Sequence, residues 1–79
     1  MAPTVVRDGQ FRLFFFSREE TRLHVHVAHP DGEAKFWLDP SPALANSTGL
    51  SSRQLRDAQE AVERHIEEIR NAWQLHFGG

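Results

Sequence analysis

His24 and His26 stand two residues apart in the stretch Arg22-Leu23-His24-Val25-His26-Val27. On a β-strand, alternation puts both imidazoles on one face and Leu23, Val25 and Val27 on the other. An imidazole changes charge near neutral pH, so one ring of the pair could take the proton of a ribose 2′-hydroxyl while the other protonates the leaving oxygen. Lys35 or Arg12 would then stabilise the phosphorane charge, and the reaction would be RNA cleavage without a metal. A shared metal is a second use, but it needs a third ligand on the same face, where Asp39 and Glu33 are the obvious candidates. The third use is plain: two polar strand residues bonded to neighbours or backbone. Neither a metal nor a cofactor is expected. The chain has no cysteine, phosphate-cradling glycine loop or Ser-His-Asp arrangement.

Further strands must hold that face in place. Thr4 to Arg7 and Gln10 to Ser17 surround Asp8-Gly9, a dipeptide suited to a two-residue type I′ turn. With Arg7 opposite Gln10, Val6 faces Phe11 and Thr4 faces Leu13. Phe11, Leu13 and Phe15 then form a buried face, and Arg12, Phe14 and Phe16 point the other way. After a polar connection, Leu23 to His29 and Glu33 to Asp39 form a second hairpin around Pro30-Asp31-Gly32. Two registers compete there. A three-residue loop sets His29 against Glu33 and puts the histidines on the face of Phe36 and Leu38. A four-residue loop sets His29 against Ala34, stacks Val25 and Val27 with Leu38 and Phe36, and leaves His24, His26, Lys35 and Trp37 together outside. Burial favours the second, because two imidazoles in a thin core would strand polar nitrogens.

Asp39-Pro40-Ser41-Pro42 ends the strand, since proline cannot donate to a ladder. Ala43 to Gly49 reads as a connector with at most a short extended piece. Ser51 is a natural N-cap, and Gln54 completes a capping box. Leu55, Ala58, Val62, Ile66, Ile69, Trp73 and Phe77 recur at steps of three and four, which predicts one helix from Ser52 to Phe77, ended by Gly78 and Gly79. At about 26 residues it would span nearly ~40 Å. Its last two turns, with Trp73 and Phe77, would overhang the sheet or meet another subunit. His65 borders the apolar stripe and reads as structural, and Arg53 and Arg56 read as solvated.

Length and composition narrow the class. The 79 residues read as one domain over 1–79, which buries only about 60% of its unfolded surface. A formal net charge of −2 argues against a general positive field for nucleic acid and leaves room for a local basic patch. No apolar run approaches the roughly 20 residues of a membrane span, and the start lacks the pattern of a signal peptide. A cytoplasmic protein without membrane contact is the expectation.

With these elements placed, the chain resembles a small bacterial family, the one known as domain of unknown function 4160. The resemblance rests on Pro3-Thr4-Val5 with Arg7 and Gly9, Phe14-Phe15-Phe16-Ser17, His24-Val25-His26-Val27 and Gly32-Glu33-Ala34-Lys35-Phe36-Trp37-Leu38. It continues through Gly49-Leu50-Ser51 with Arg53 and Leu55 to Trp73 and Phe77. One departure is Arg22-Leu23, where the family commonly has a proline pair. The resemblance implies a setting rather than a reaction: compact two-gene modules of toxin-antitoxin type.

The predicted architecture is α+β: an antiparallel β-meander of about four strands (about 4–7, 10–17, 23–29 and 33–39) with one long C-terminal α-helix (about 52–77) packed on one face, forming a homodimer. Flat aromatics interleaved with cations on an open sheet suit single-stranded RNA, and the same rings suit a sheet-to-sheet dimer. The expected function is a small binding component of a toxin-antitoxin-type module. It would contact RNA or a cognate small protein through Arg12, Phe14, Phe16, Lys35 and Trp37. The alternatives are a metal-independent endoribonuclease toxin using His24 and His26, and a purely structural dimeric module.

Overall fold

Residues of one parity along each strand are apolar, and burying them generates the sheet. A computed structural model describes residues 4–15 and 22–77. It contains β1 (Thr4–Asp8), β2 (Phe11–Phe14), β3 (His24–His29), β4 (Gly32–Trp37) and β5 (Ala43–Thr48), then α1 (Ser52–Arg64) and α2 (Ile66–Phe77). The strands form one antiparallel sheet in the order β1-β2-β3-β4-β5. On its inner face Leu13, Phe15, Val25, Val27, Ala34, Phe36 and Leu38 meet Ala58, Val62 and Ile69 of the helices. Each large aliphatic side chain buried there contributes about 1.5–3 kcal/mol. The α+β class is as expected, with five strands and two helices in place of about four strands and one helix.

Both hairpins differ from the predicted registers by two residues. In the first, Asp8 rather than Arg7 begins the turn: Asp8 opposes Phe11 and Arg7 opposes Arg12, so Gly9, at φ 61°, lies inside it. In the second, His29 opposes Gly32 and Val25 opposes Phe36. The loop is thus Pro30-Asp31, shorter than either loop considered. A shift of two keeps side chains on their own faces, which is why the inner set is the predicted one; Thr4 is the exception, because an irregularity between Thr4 and Val6 sets it opposite Phe14 on the outer face rather than opposite Leu13. β2 ends at Phe14 rather than Ser17, and Phe16 lies outside the described residues.

The fifth strand is the segment expected to be a connector. Its sequence, Ala-Leu-Ala-Asn-Ser-Thr, has little β propensity, yet it pairs with β4 from Glu33↔Thr48 to Trp37↔Ala43. Two glycines permit that pairing. A Cβ at Gly32 would collide with the Thr48 carbonyl oxygen and lie 2.9 Å from Gly49 backbone carbon, and Gly49 itself takes φ 85°. Backbones this close exclude any side chain.

The predicted capping box opens α1: Gln54 N–H donates to Ser51 Oγ at 3.1 Å, and Ser51 N–H donates to Gln54 Oε1 at 2.8 Å. Gln54 also donates to Asp31 Oδ2 at 2.7 Å, tying the helix start to the β3–β4 turn. The single long helix does not form. His65, at φ −112° and ψ 20°, separates α1 from α2. Its Nε2 lies 3.1 Å from Asp8 Oδ2 and its Nδ1 3.1 Å from Glu68 Oε1. Arg64 donates to the same Asp8 oxygen from Nη2 at 2.7 Å and Nε at 3.0 Å. The joint is thereby pinned to the first hairpin, and α2 packs on the sheet as far as Trp73, while Gln74, Leu75 and His76 beyond it are exposed. Ile69 is fully buried, Arg70 donates to the Leu38 carbonyl at 2.7 Å, and Trp73 meets Phe15 edge-on at 5.3 Å.

Two outcomes follow. Gly32→Ala should lower the unfolding free energy by about 2 kcal/mol or more, whereas Gly9→Ala, with nothing within 4 Å of the added methyl, should cost only about 1–2 kcal/mol for its left-handed backbone. Urea denaturation of both variants gives the comparison. The second concerns Asp8, whose carboxyl is held below its ordinary value chiefly by the hydrogen bonds from Arg64, with His65 adding to the effect. A lowered native value means stability that is present above the unfolded value of about 3.9 and lost as pH falls through the native one. Asp8→Asn should therefore destabilise the protein at neutral pH, and its difference from wild type should fade in acid. A gap that stays constant or widens in acid would refute the assignment.

Candidate functional site

The residues of the other parity build the outer face. The strand pairings align Arg7, Arg12, Ala28, Glu33 and Thr48 in one row across the sheet and Thr4, Phe14, His26, Lys35 and Asn46 in the next, with His24 and Trp37 opposed in a third. The predicted face thus brings Arg12, Phe14, His24, His26, Lys35 and Trp37 together. Sequence reasoning missed Arg7, Arg22, Asn46 and Thr48. The position of Arg7 depends on the hairpin register, and those of Asn46 and Thr48 depend on the unexpected strand.

Rings form the base of this face and cations cover them. Phe14 stacks on His26 at 5.4 Å and 27°, His24 meets His26 edge-on at 5.1 Å, and His24 and Trp37 are 6.0 Å apart. The Arg12 guanidinium lies 4.7 Å above the Phe14 ring, and Arg22 and Lys35 lie 4.1 and 4.5 Å from the Trp37 ring centre. Arg12 Nε also donates to Thr4 Oγ1 at 2.7 Å. Each cation–ring contact adds about 0.5–1 kcal/mol at an exposed site. Their larger effect is geometric, because they hold long side chains in defined positions. Phe14 is only 6% exposed, so it supports the guanidinium above it rather than offering a bare platform.

The two histidines are not equivalent. Expected side by side on an open surface, they differ in access: His26 is half-buried and His24 has no exposure. Its Nδ1 lies 2.6 Å from the Arg22 carbonyl oxygen, which can only accept, so Nδ1 carries the hydrogen. Trp73 of α2 packs 5.1 Å away. His24 therefore links the helix layer to the outer face, and only His26 of the pair reaches it.

Charge is segregated. Among the described residues the outer face carries Arg7, Arg12, Arg22 and Lys35 against two carboxylates, Glu33 and, just past β4 on the same parity, the exposed Asp39, in a chain of net charge −2. A groove of about 190 Å³ runs beside His26, Glu33, Lys35, Asn46 and Thr48. A larger cleft of about 520 Å³ lies elsewhere, between the first turn, Phe11, His29 and α1. Its Arg53 and Arg64 alternate with Asp57 and Glu60, so it has no comparable excess of one sign. Among the described residues no group of His, Asp and Glu could hold a metal ion.

The family described as domain of unknown function (DUF4160) matches residues 10–74. The chain belongs to this family. The DUF4160 match begins at the β1–β2 turn and runs into α2, taking in the whole outer face from Arg12 to Thr48 together with Trp73. Arg7 and the rest of β1 precede it. Neither a curated protein nor a solved structure matches the chain. Among the described residues no helix is long and apolar enough to cross a membrane.

Truncating the two histidines should separate their roles. His24→Ala removes a fully buried ring among His26, Trp37 and Trp73, and should cost about 2–4 kcal/mol of stability. His26→Ala should cost roughly 1 kcal/mol or less. Equal denaturation midpoints for the two variants would contradict the inequality drawn from their burial.

Proposed function

We propose that this DUF4160 protein is a binding component of a bacterial toxin-antitoxin-type module and holds single-stranded RNA on its outer sheet face. The observation that carries the reading is the charge segregation: a cationic face on an acidic chain, with Arg12, Arg22 and Lys35 steadied over Phe14 and Trp37. Phosphates bind fixed cations with less ordering entropy to lose than mobile ones, and guanidinium planes and Trp37 are surfaces on which bases stack. The gene setting of the family supports the modular role, and it is the resemblance rather than the geometry that supplies it.

The ribonuclease alternative needs two imidazoles at the scissile phosphate. His24, buried and bonded to the Arg22 carbonyl, is poorly disposed to be one of them, so binding is the stronger reading. A purely structural dimer would use the same rings without needing the cations.

Fluorescence anisotropy with a short labelled RNA tests the proposal. Affinity should fall steeply as salt rises, and Lys35→Ala and Arg12→Ala should each weaken binding and reduce the salt slope by about 1. The RNA should stay intact. Salt-insensitive self-association without RNA binding would replace the proposal with the dimer, and RNA cleavage lost in His26→Ala would replace it with the nuclease.

A further inference from the structure

Glu33 is out of character with its surroundings. On a face that gathers Arg7, Arg12, Arg22 and Lys35, it is the single acid on the outer parity within the described strands, exposed, in the same row as Arg12 and Thr48. A carboxylate there repels the phosphates that the cations attract. The nearest cation along its own strand, Lys35, does not neutralise it, because the ammonium is turned to the Trp37 ring at 4.5 Å. Among the described residues the Glu33 carboxylate has no hydrogen-bond or ion-pair partner. It lines the groove of about 190 Å³ together with the Asn46 amide and the Thr48 hydroxyl, with Lys35 and His26 along the same groove. That volume is below the ~300 Å³ of sites for drug-sized molecules and suits one planar base. Across from Glu33 stands Ala28, whose methyl leaves the inner side of the row low.

We propose that this groove is a base-reading subsite selective for guanine, with Glu33 as the specificity-determining residue. The inference rests on the RNA-binding reading of the outer face. The choice of base follows from donor and acceptor patterns. A carboxylate has two acceptor oxygens and no donor. Guanine presents two donors side by side, N1–H and the N2 amino group, which match both oxygens. Adenine and cytosine each present one amino group beside a ring acceptor, and uracil presents one N–H between two carbonyls that the carboxylate repels. The Asn46 amide can donate to guanine O6, and Lys35 lies where the flanking phosphate would pass. Unpaired bases in single strands expose these edges to proteins, and a bidentate pairing favours the matching base by roughly tenfold or more in affinity.

The experiment compares a short oligouridine with the same strand carrying one central guanosine, adenosine, cytidine or inosine, titrated by anisotropy against wild type, Glu33→Gln and Glu33→Asp, with circular dichroism to check folding. Wild type should bind the guanosine strand roughly tenfold more tightly than oligouridine. Inosine, which keeps N1–H and lacks the amino group, should fall between them. Glu33→Gln should still bind oligouridine, at least as tightly as wild type, but lose most of the guanosine preference, and Glu33→Asp should retain part of it. Equal affinity of wild type for all strands, or a preference that survives Glu33→Gln, would overturn the subsite while leaving the RNA-binding face standing. Failure of wild type to bind any strand would overturn both.

Discussion

The register of β3 against β4 is the constraint on which the other features of the molecule rest. With His29 opposite Gly32, Val25 and Val27 point inward and His24 and His26 outward. A slip of one residue would exchange the two sets and place imidazoles under the helices. The same register brings Lys35 beside His26 and Trp37 beside His24, which creates the cation–ring pairs of the outer face. Gly32 also starts β4 where β5 must pass within touching distance. One turn therefore fixes the core and the outer face, and it admits the last strand as well.

The helix layer is tied to that sheet by polar contacts at its ends and apolar ones between. Gln54 reaches the β3–β4 turn, Arg64 and His65 reach Asp8, and Arg70 reaches the Leu38 carbonyl. The acid Asp8 sits where the Arg64 guanidinium and the His65 imidazole converge at the helix joint. Trp73 closes the arrangement by contacting Phe15 of the core and the ring of His24. The two faces of the sheet are thus in contact through a buried histidine, which explains why a residue of the outer parity has no exposure.

Much of this was legible in the residues. Alternation in Leu23-His24-Val25-His26-Val27 assigned the faces of β3, and the Asp8-Gly9 and Pro30-Asp31-Gly32 turns located both hairpins, because each signal lies within a few residues of what it determines. The capping box at Ser51 and Gln54 was legible for the same reason. The outer face assembled from Arg12, Phe14, His26, Lys35 and Trp37 followed from parity alone, and errors of two residues in both registers left it intact.

What only the tertiary structure decided depends on partners distant in sequence. β5 forms from a segment of weak propensity because the β4 edge offers it backbone hydrogen bonds and two glycines let it approach. The helix parts at His65 because Asp8, 57 positions earlier, holds the imidazole. His24 is buried because Trp73 reaches it from α2. Local pattern sets which way a side chain points, since that depends only on backbone period. Whether it ends buried or open, continuous or broken, is set by packing between elements remote from one another along the chain.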